Sequence, residues 1–178
     1  MTLIFDIETD GLLDEATKIH SLVIYDTEKE HIYIYAHSCY YPSNQQGLNL
    51  SQEAEEISGH NIVKFDIPAI QKLYPNFKPK GKLFDTLLMS KLVYPDVGEK
   101  DDRRIDKGLF PSKLRGKYSL KAWGYRLGEL KGDYNEQEDA WAEWSIDMQR
   151  YCEQDVMVTK KLFNLLKFKN ISEEAVKL

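Results

Sequence analysis

The apolar positions of the first forty residues form short runs rather than a helical repeat. Residues 2–7 are a short apolar run, residues 18–26 are rich in Ile, Val and Tyr, and residues 31–37 alternate between apolar and polar positions. Short runs of this kind predict strands, and alternation is typical of a strand with one exposed face. Because residues 26–30 form a polar turn between the last two runs, we predict a three-stranded meander that is at least partly antiparallel.

After residue 48 the apolar positions mostly take helical spacing. Helices are predicted over 50–57, 65–74, 86–94, 119–130 and 145–168, with N-caps at Ser51, Asp85 and Ser119 and with Pro68 in the first turn of its helix. A short strand is predicted over 82–85, a loop over 41–47, and a long glycine- and charge-rich loop over 97–118. This order of elements predicts an α/β fold in which helices flank a mixed sheet.

Length and composition indicate the number of domains, the role of net charge and the cellular setting. The 178 residues, 42% hydrophobic and 30% charged, suit a single domain over 1–178, in which we interpret 170–178 as a tail or linker. The net charge of −5 argues against a protein held on nucleic acid by bulk charge alone. Cys39 and Cys152 form no disulfide framework, which indicates a reducing, cytoplasmic setting, and no apolar run reaches the roughly 20 residues that span a membrane.

Acidic residues recur in three separate segments. Asp6 and Glu8 lie two apart on the first strand, so both side chains face one side of the sheet. Asp66 begins a predicted helix, and Tyr151 and Asp155, four apart, share one face of the last helix. Each acid alone has an ordinary explanation, as a solvated strand end, a helix N-terminus or an exposed carboxylate. Four such acids together predict a site for two divalent cations, and all-oxygen ligands favour Mg²⁺ or Mn²⁺ over zinc.

The three segments resemble the motifs of a known nuclease family. "DIETDGL", "HNIVKFD" and "YCEQDVMVT" are similar, in order, to the three motifs of the DEDD superfamily of 3′→5′ exonucleases, in its tyrosine branch. The branch that uses histidine has it five residues before the last acid, where this chain has Arg150. Residues 84–92 and 119–134 more closely resemble the proofreading domains of family A DNA polymerases from T-seven-like bacteriophages. The resemblance implies a ribonuclease H-like fold whose first three strands are antiparallel.

The resemblance also implies roles for individual residues. Asp6, Glu8 and Asp155 would hold one cation, Asp6 would bridge to a second, and Asp66 would hold that second cation through water. Tyr151 would orient the attacking water, and the product would be a nucleoside 5′-monophosphate.

Three further residues would contact the substrate. Leu12 would pack against the terminal base and Asn61 would steady the strand. Phe65 stands where the bacterial pattern has tyrosine, and it follows Asn61 at the longer, phage-type spacing. The expected partners are the 3′ end of single-stranded DNA and a DNA polymerase domain or subunit, in the cytoplasm of the host cell if the protein is phage-encoded.

Several alternatives stay open from the sequence. An RNA-trimming exonuclease of the ribonuclease D kind would use the same acids. A haloacid-dehalogenase-type phosphatase has a "DxDxT" motif that "DIETDG" imitates, although Glu8 replaces its second Asp. A non-enzymatic strand-binding module would be expected to lack some of the four acids. The basic residues of 103–121 either follow a phosphate backbone or lie on a solvated loop.

Overall fold

The computed structural model describes residues 1–129 and 141–168. Its strands are β1 Thr2–Thr9, β2 Ile19–Asp26, β3 His31–Ala36, β4 Glu56–Gly59 and β5 Lys82–Asp85. Its α-helices are α1 Asn44–Gln52, α2 Asp66–Leu73, α3 Thr86–Val93, α4 Val97–Ile105, α5 Leu120–Leu127 and α6 Ile146–Phe168, and a 3-10 turn spans Ser112–Leu114. The predicted tail 170–178 lies outside the described residues.

The strands form one mixed sheet in the order β3-β2-β1-β4-β5. Strands β1, β2 and β3 pair antiparallel, whereas β4 pairs parallel with β1 and β5 pairs parallel with β4. The predicted α/β architecture, with a mixed sheet whose first three strands are antiparallel and which helices flank, is confirmed.

The central strand β1 separates two hydrophobic cores. Leu3, Phe5 and Ile7 belong to the core that also contains buried residues of α1 and α2. Ile4 belongs to the other core, which contains most of the buried face of α6. Because side chains alternate along a strand, Asp6 and Glu8 continue the face of Ile4 and point toward α6.

The helix predicted over 50–57 is wrong. Helix α1 begins earlier, inside the predicted loop 41–47, and the Ser51 hydroxyl lies within it and donates to the Gly47 carbonyl at 3.0 Å. Its last two residues, 56 and 57, belong instead to strand β4, which pairs with residues 2–4 of β1. Four residues carry too short a pattern to identify a strand, so the pairing with β1 decides the conformation.

The long loop predicted over 97–118 is also wrong in part, since it contains α4 and the 3-10 turn. The charges that suggested a loop form ion pairs instead. Asp101 pairs with Arg126 of α5, and Asp102 pairs with Arg115. The other predicted helices and the strand over 82–85 are confirmed. Among the described residues no helix is both long and apolar enough to cross a membrane.

Candidate active site

The end of β1 presents two carboxylates to α6. Asp6 is half-buried and Glu8 is buried, with 8% of its surface exposed. The pairing of β1 with β2 shifts register between Glu8 and Thr9, so the regular strand ends beside these acids. The change from apolar to acidic residues along one face therefore occurs at the strand's end, where ligand sites are common.

Helix α6 places three buried side chains against that strand end, namely Tyr151, Cys152 and Asp155. Spacings of three and four residues put all three on the stripe that faces the sheet. The Cys152 thiol lies 3.5 Å from the backbone carbonyl oxygen of Asp6 and 3.6 Å from its carboxylate Oδ2, within donating distance of both. Helix α6 and β1 are thus joined at the candidate site.

Asp66 is the first residue of α2, and a tight loop before that helix determines its position. Asn61 adopts a left-handed backbone with φ of 70°, which asparagine tolerates better than most residues. The buried Asp85 carboxylate accepts hydrogen bonds from the N–H groups of Asn61 and Val63, at 3.1 and 3.2 Å. It also accepts from two N–H groups of α3, as its predicted role of N-cap requires. Asp85 therefore ties the loop before Asp66 to the start of α3.

The carboxylates lie close enough to disturb one another's ionisation. Burial raises the pKa of Asp66 to about 7, backbone N–H groups oppose the rise, and the charges of Asp85 and Asp155 add to it. Burial also raises the pKa of the Cys152 thiol, and the charges of Asp6, Glu8 and Asp155 add to that effect. Acids crowded in this way fit a divalent cation, because bound positive charge would favour their ionised forms.

Two cavities adjoin the acids of β1 and α6. The larger one, of about 590 Å³, is lined by Asp6, Asp155, His60, Asn61, Leu87, Lys91 and residues 116–120. One of its walls is held by His60, whose ring Nε2 lies 2.9 Å from the Tyr118 carbonyl oxygen. The smaller one, of about 300 Å³, is lined by residues 8–12, Glu15 and Trp141.

Trp141 forms a wall of the smaller cavity and also packs on Tyr151. The two rings meet edge to face, with centroids 6.1 Å apart. The His20 ring lies behind Trp141, with Nε2 3.0 Å from the Trp141 carbonyl oxygen. Burial lowers the pKa of His20, which favours the neutral ring, and Nε2 is the donor because the carbonyl oxygen can only accept. Trp141 is thereby held between the candidate catalytic tyrosine and the cavity.

The three predicted substrate residues occupy different places. Leu12 is 73% exposed, and it lines the smaller cavity together with Trp141. Asn61 lines the larger cavity. Phe65 is half-buried just before α2, where its N–H donates to the Asn61 carbonyl at 3.0 Å. Leu12 and Asn61 therefore line different cavities, each of which also contains acids of the candidate site, whereas Phe65 supports the loop that carries Asp66.

Sequence reasoning missed two residues of this site. Cys152 was treated only as evidence about disulfides, although its spacing of three from Asp155 places it on the same helix face. Trp141 has no place in the sequence analysis, because nothing in the sequence links it to residues 8–12. The helical spacing was a usable signal for Cys152, whereas Trp141 offered none.

Comparison with known proteins agrees with this arrangement. A family model described as RNase_H superfamily matches residues 3–101, which is more than half of the chain. The chain therefore belongs to the ribonuclease H superfamily, and it is a ribonuclease H-like exonuclease domain. The predicted resemblance is confirmed, and this membership argues against the phosphatase alternative.

The chain is also similar to individual proteins, namely two phage DNA polymerases and a nuclease of known structure. The chain is 34% identical, over 92% of its length, to the DNA-directed DNA polymerase of Escherichia phage T7, and equally to that of Enterobacteria phage T3. It spans 26% of the length of each of these polymerases. The solved structure of Brucella melitensis NrnC covers 98% of this chain, and this chain covers 77% of NrnC, with a TM-score of 0.65 and 16% identity. That likeness shows the fold alone.

Proposed function

We propose that this protein is a 3′→5′ exodeoxyribonuclease that removes nucleoside 5′-monophosphates from the 3′ end of DNA, as a proofreading activity linked to a phage-type DNA polymerase in the host cytoplasm. The observation that carries the proposal is that acids of β1 and α6 line two cavities, while the buried Asp66 of α2 lies near enough for the charge of Asp155 to raise its pKa. The similarity to two phage DNA polymerases supports DNA as the substrate.

The acids would hold the cations of the reaction. Asp6, Glu8 and Asp155 would bind one Mg²⁺ or Mn²⁺, and Asp6 and Asp66 would bind a second. When bound, a pair of such cations supplies charge that stabilises the attacking and departing oxygens of a phosphodiester. Asp66 supports this assignment because burial, with the charges of neighbouring acids, raises its pKa and so disfavours its ionised form, a cost that a neighbouring cation would remove.

The remaining residues would position the substrate. The smaller cavity would take the terminal base between Leu12 and Trp141, since base stacking on an aromatic ring contributes about 1–3 kcal/mol per base and tolerates any sequence. The larger cavity would take the phosphates, with Lys91 and Lys117 on its walls and Asn61 at its side. Tyr151 would orient the attacking water through its hydroxyl.

The proposal is tested with oligonucleotides labelled at the 5′ end and incubated with Mg²⁺ or Mn²⁺. Stepwise shortening of single-stranded DNA from the 3′ end is expected, with complete inhibition by EDTA. A 3′-phosphorothioate linkage would be expected to slow the first step. Shortening from the 5′ end would contradict the proposal. Faster removal from an RNA of the same sequence would establish the RNA-trimming alternative instead.

Replacing Tyr151 with phenylalanine is expected to lower turnover by about 10–100-fold, because a hydrogen bond to a charged group contributes about 1.5–3 kcal/mol. The aromatic ring remains, so the packing against Trp141 is kept. The measurement compares single-turnover rates with the affinity for Mn²⁺, which should stay within about threefold of the parent value. Loss of Mn²⁺ binding in Tyr151→Phe would show that the hydroxyl supports the cation site rather than the water.

A further inference from the structure

Cys152 lies at the candidate cation site without a part in the proposed reaction. Its side chain is fully buried between α6 and β1, and its sulfur contacts the Asp6 carboxylate at 3.6 Å. A buried cysteine is often only a small apolar residue. Here, however, the sulfur faces acids rather than the apolar core alone, so its chemistry as a ligand is relevant.

The donor atoms of three residues gather here. One carboxylate oxygen each from Asp6 and Glu8 and the Cys152 sulfur all lie within 4.8 Å of one another. Metal–thiolate bonds of about 2.3 Å and metal–carboxylate bonds of about 2.1 Å allow donors on one ion to lie about 4.4 Å apart or less. A small adjustment of the side chains would therefore bring all three onto one ion. Within 1–129 and 141–168, no other trio of His, Cys, Asp or Glu donors meets this criterion.

An ion can reach these donors from solvent. Asp6 lines the larger cavity and Glu8 lines the smaller one, whereas Cys152 lies beneath them against the sheet. An entering cation would meet the carboxylates first and the sulfur behind them. The two kinds of donor differ in preference, because thiolate selects soft or borderline cations and carboxylate alone suits Mg²⁺.

We propose that Asp6, Glu8 and Cys152 form a mixed carboxylate and thiolate site that binds thiophilic divalent cations, such as Co²⁺, Zn²⁺ and Cd²⁺. On binding, the S–H bond of Cys152 breaks, the proton passes to the buffer, and a sulfur lone pair forms the bond to the cation, without oxidation or reduction. The site rests on the proposed function in one respect, since Mg²⁺ for the exonuclease reaction would need the same Asp6 and Glu8 carboxylates. Thiophilic cations and Mg²⁺ should therefore compete.

The experiment starts from a Cys39→Ser variant. Cys39 is exposed and would bind soft cations by itself, and its removal leaves Cys152 as the single cysteine of the chain. Titration with Co²⁺ is expected to produce a sulfur-to-cobalt charge-transfer absorption in the near ultraviolet that saturates at one equivalent. The band should vanish in the Cys39→Ser, Cys152→Ser double variant and decline when excess Mg²⁺ is added. Cys152→Ala in the same background is the second variant if serine disturbs folding.

Calorimetric titrations with Cd²⁺ and Mg²⁺ test whether Cys152 binds the cation directly or only supports the fold of the site. Loss of Cys152 is expected to weaken Cd²⁺ binding by about 10–100-fold, while Mg²⁺ affinity changes by less than about threefold. The inference would be overturned if the Co²⁺ band were absent from the folded Cys39→Ser protein or were retained without Cys152. It would also be overturned if the loss of Cys152 weakened Cd²⁺ and Mg²⁺ binding equally. A band in a protein without nuclease activity would refute the proposed function alone, and activity without a band would refute this site alone.

Discussion

Replacing Asp6 with alanine should reduce the rate of 3′-end removal by about 10³-fold or more, because a ligand shared by both cations supports several kcal/mol of charge stabilisation in the transition state. The fold should survive this change. Asp6 is half-buried among Glu8, Asp155 and the Cys152 thiol, so its removal relieves repulsion between like charges when no cation is bound. We therefore expect a melting temperature, measured in EDTA, that equals or exceeds that of the parent protein.

Asp14→Ala is the matched control for Asp6→Ala. Asp14 is an exposed acid in the same N-terminal segment, and it lines neither of the two cavities. Its removal changes the net charge equally but should leave the rate within about twofold. An equal fall in the rate of 3′-end removal in both variants would indicate an effect of net charge rather than of the site. Full activity in Asp6→Ala, or in the corresponding Asp66→Ala variant, would refute the proposed reaction.

Replacing Arg126 with methionine is expected to lower the free energy of unfolding by about 3–5 kcal/mol, because it leaves the Asp101 carboxylate buried without its cation. The side chains are only 6% and 1% exposed, and two hydrogen bonds of 2.9 and 2.8 Å join them. The guanidinium also stacks 4.8 Å from the Trp123 ring centroid. Burial alone would raise the pKa of Asp101, but hydrogen bonds from Arg126 and the Gly116 N–H lower it below its usual value. Urea denaturation measures the change.

The control for Arg126 is Arg115→Met, which removes an ion pair of similar geometry at the surface. Arg115 and Asp102 are about half exposed, and exposed pairs contribute about 0–1 kcal/mol. A loss of stability as large as that of Arg126→Met would show that burial does not distinguish the two pairs.

The same buried pair is connected to the larger cavity. The Gly116 N–H donates to Asp101 at 2.9 Å, and Gly116 lines that cavity. If the cavity binds DNA as proposed, Arg126→Met should weaken DNA binding under conditions in which the protein is still folded.

The motifs were the most predictable part of the site. Strand alternation placed Asp6 and Glu8 on one face, and helical spacing placed Tyr151 and Asp155 on one face, since both are local periodicities. Helix α3 and its cap Asp85 were equally predictable. The bonds from Asp85 to the loop before Asp66 were not, because residues 61 and 85 are related only through the parallel pairing of β4 and β5.

The errors in the fold have a common cause. Strand β4 is four residues long, and helix α4 is rich in charge, so neither carries enough local pattern to identify itself. Pairing with β1 determines the conformation of β4. Ion pairs to Arg126 and Arg115 hold α4 and the segment after it. In both places long-range contacts outweigh local propensity.

The amino-acid sequence by itself determined the order of most elements, the family to which the chain belongs, and the acids proposed for catalysis, because these depend on residue identity and short-range spacing. Only the tertiary structure decided what surrounds those acids. The neighbours of Asp6 include the sulfur of Cys152, which is 146 residues away along the chain, and Trp141 faces residues 8–12 across a cavity. Helical spacing relates Cys152 to Asp155, but the meeting of Cys152 with Asp6 and the position of Trp141 arise only where the sheet and α6 pack together, so no local pattern shows them.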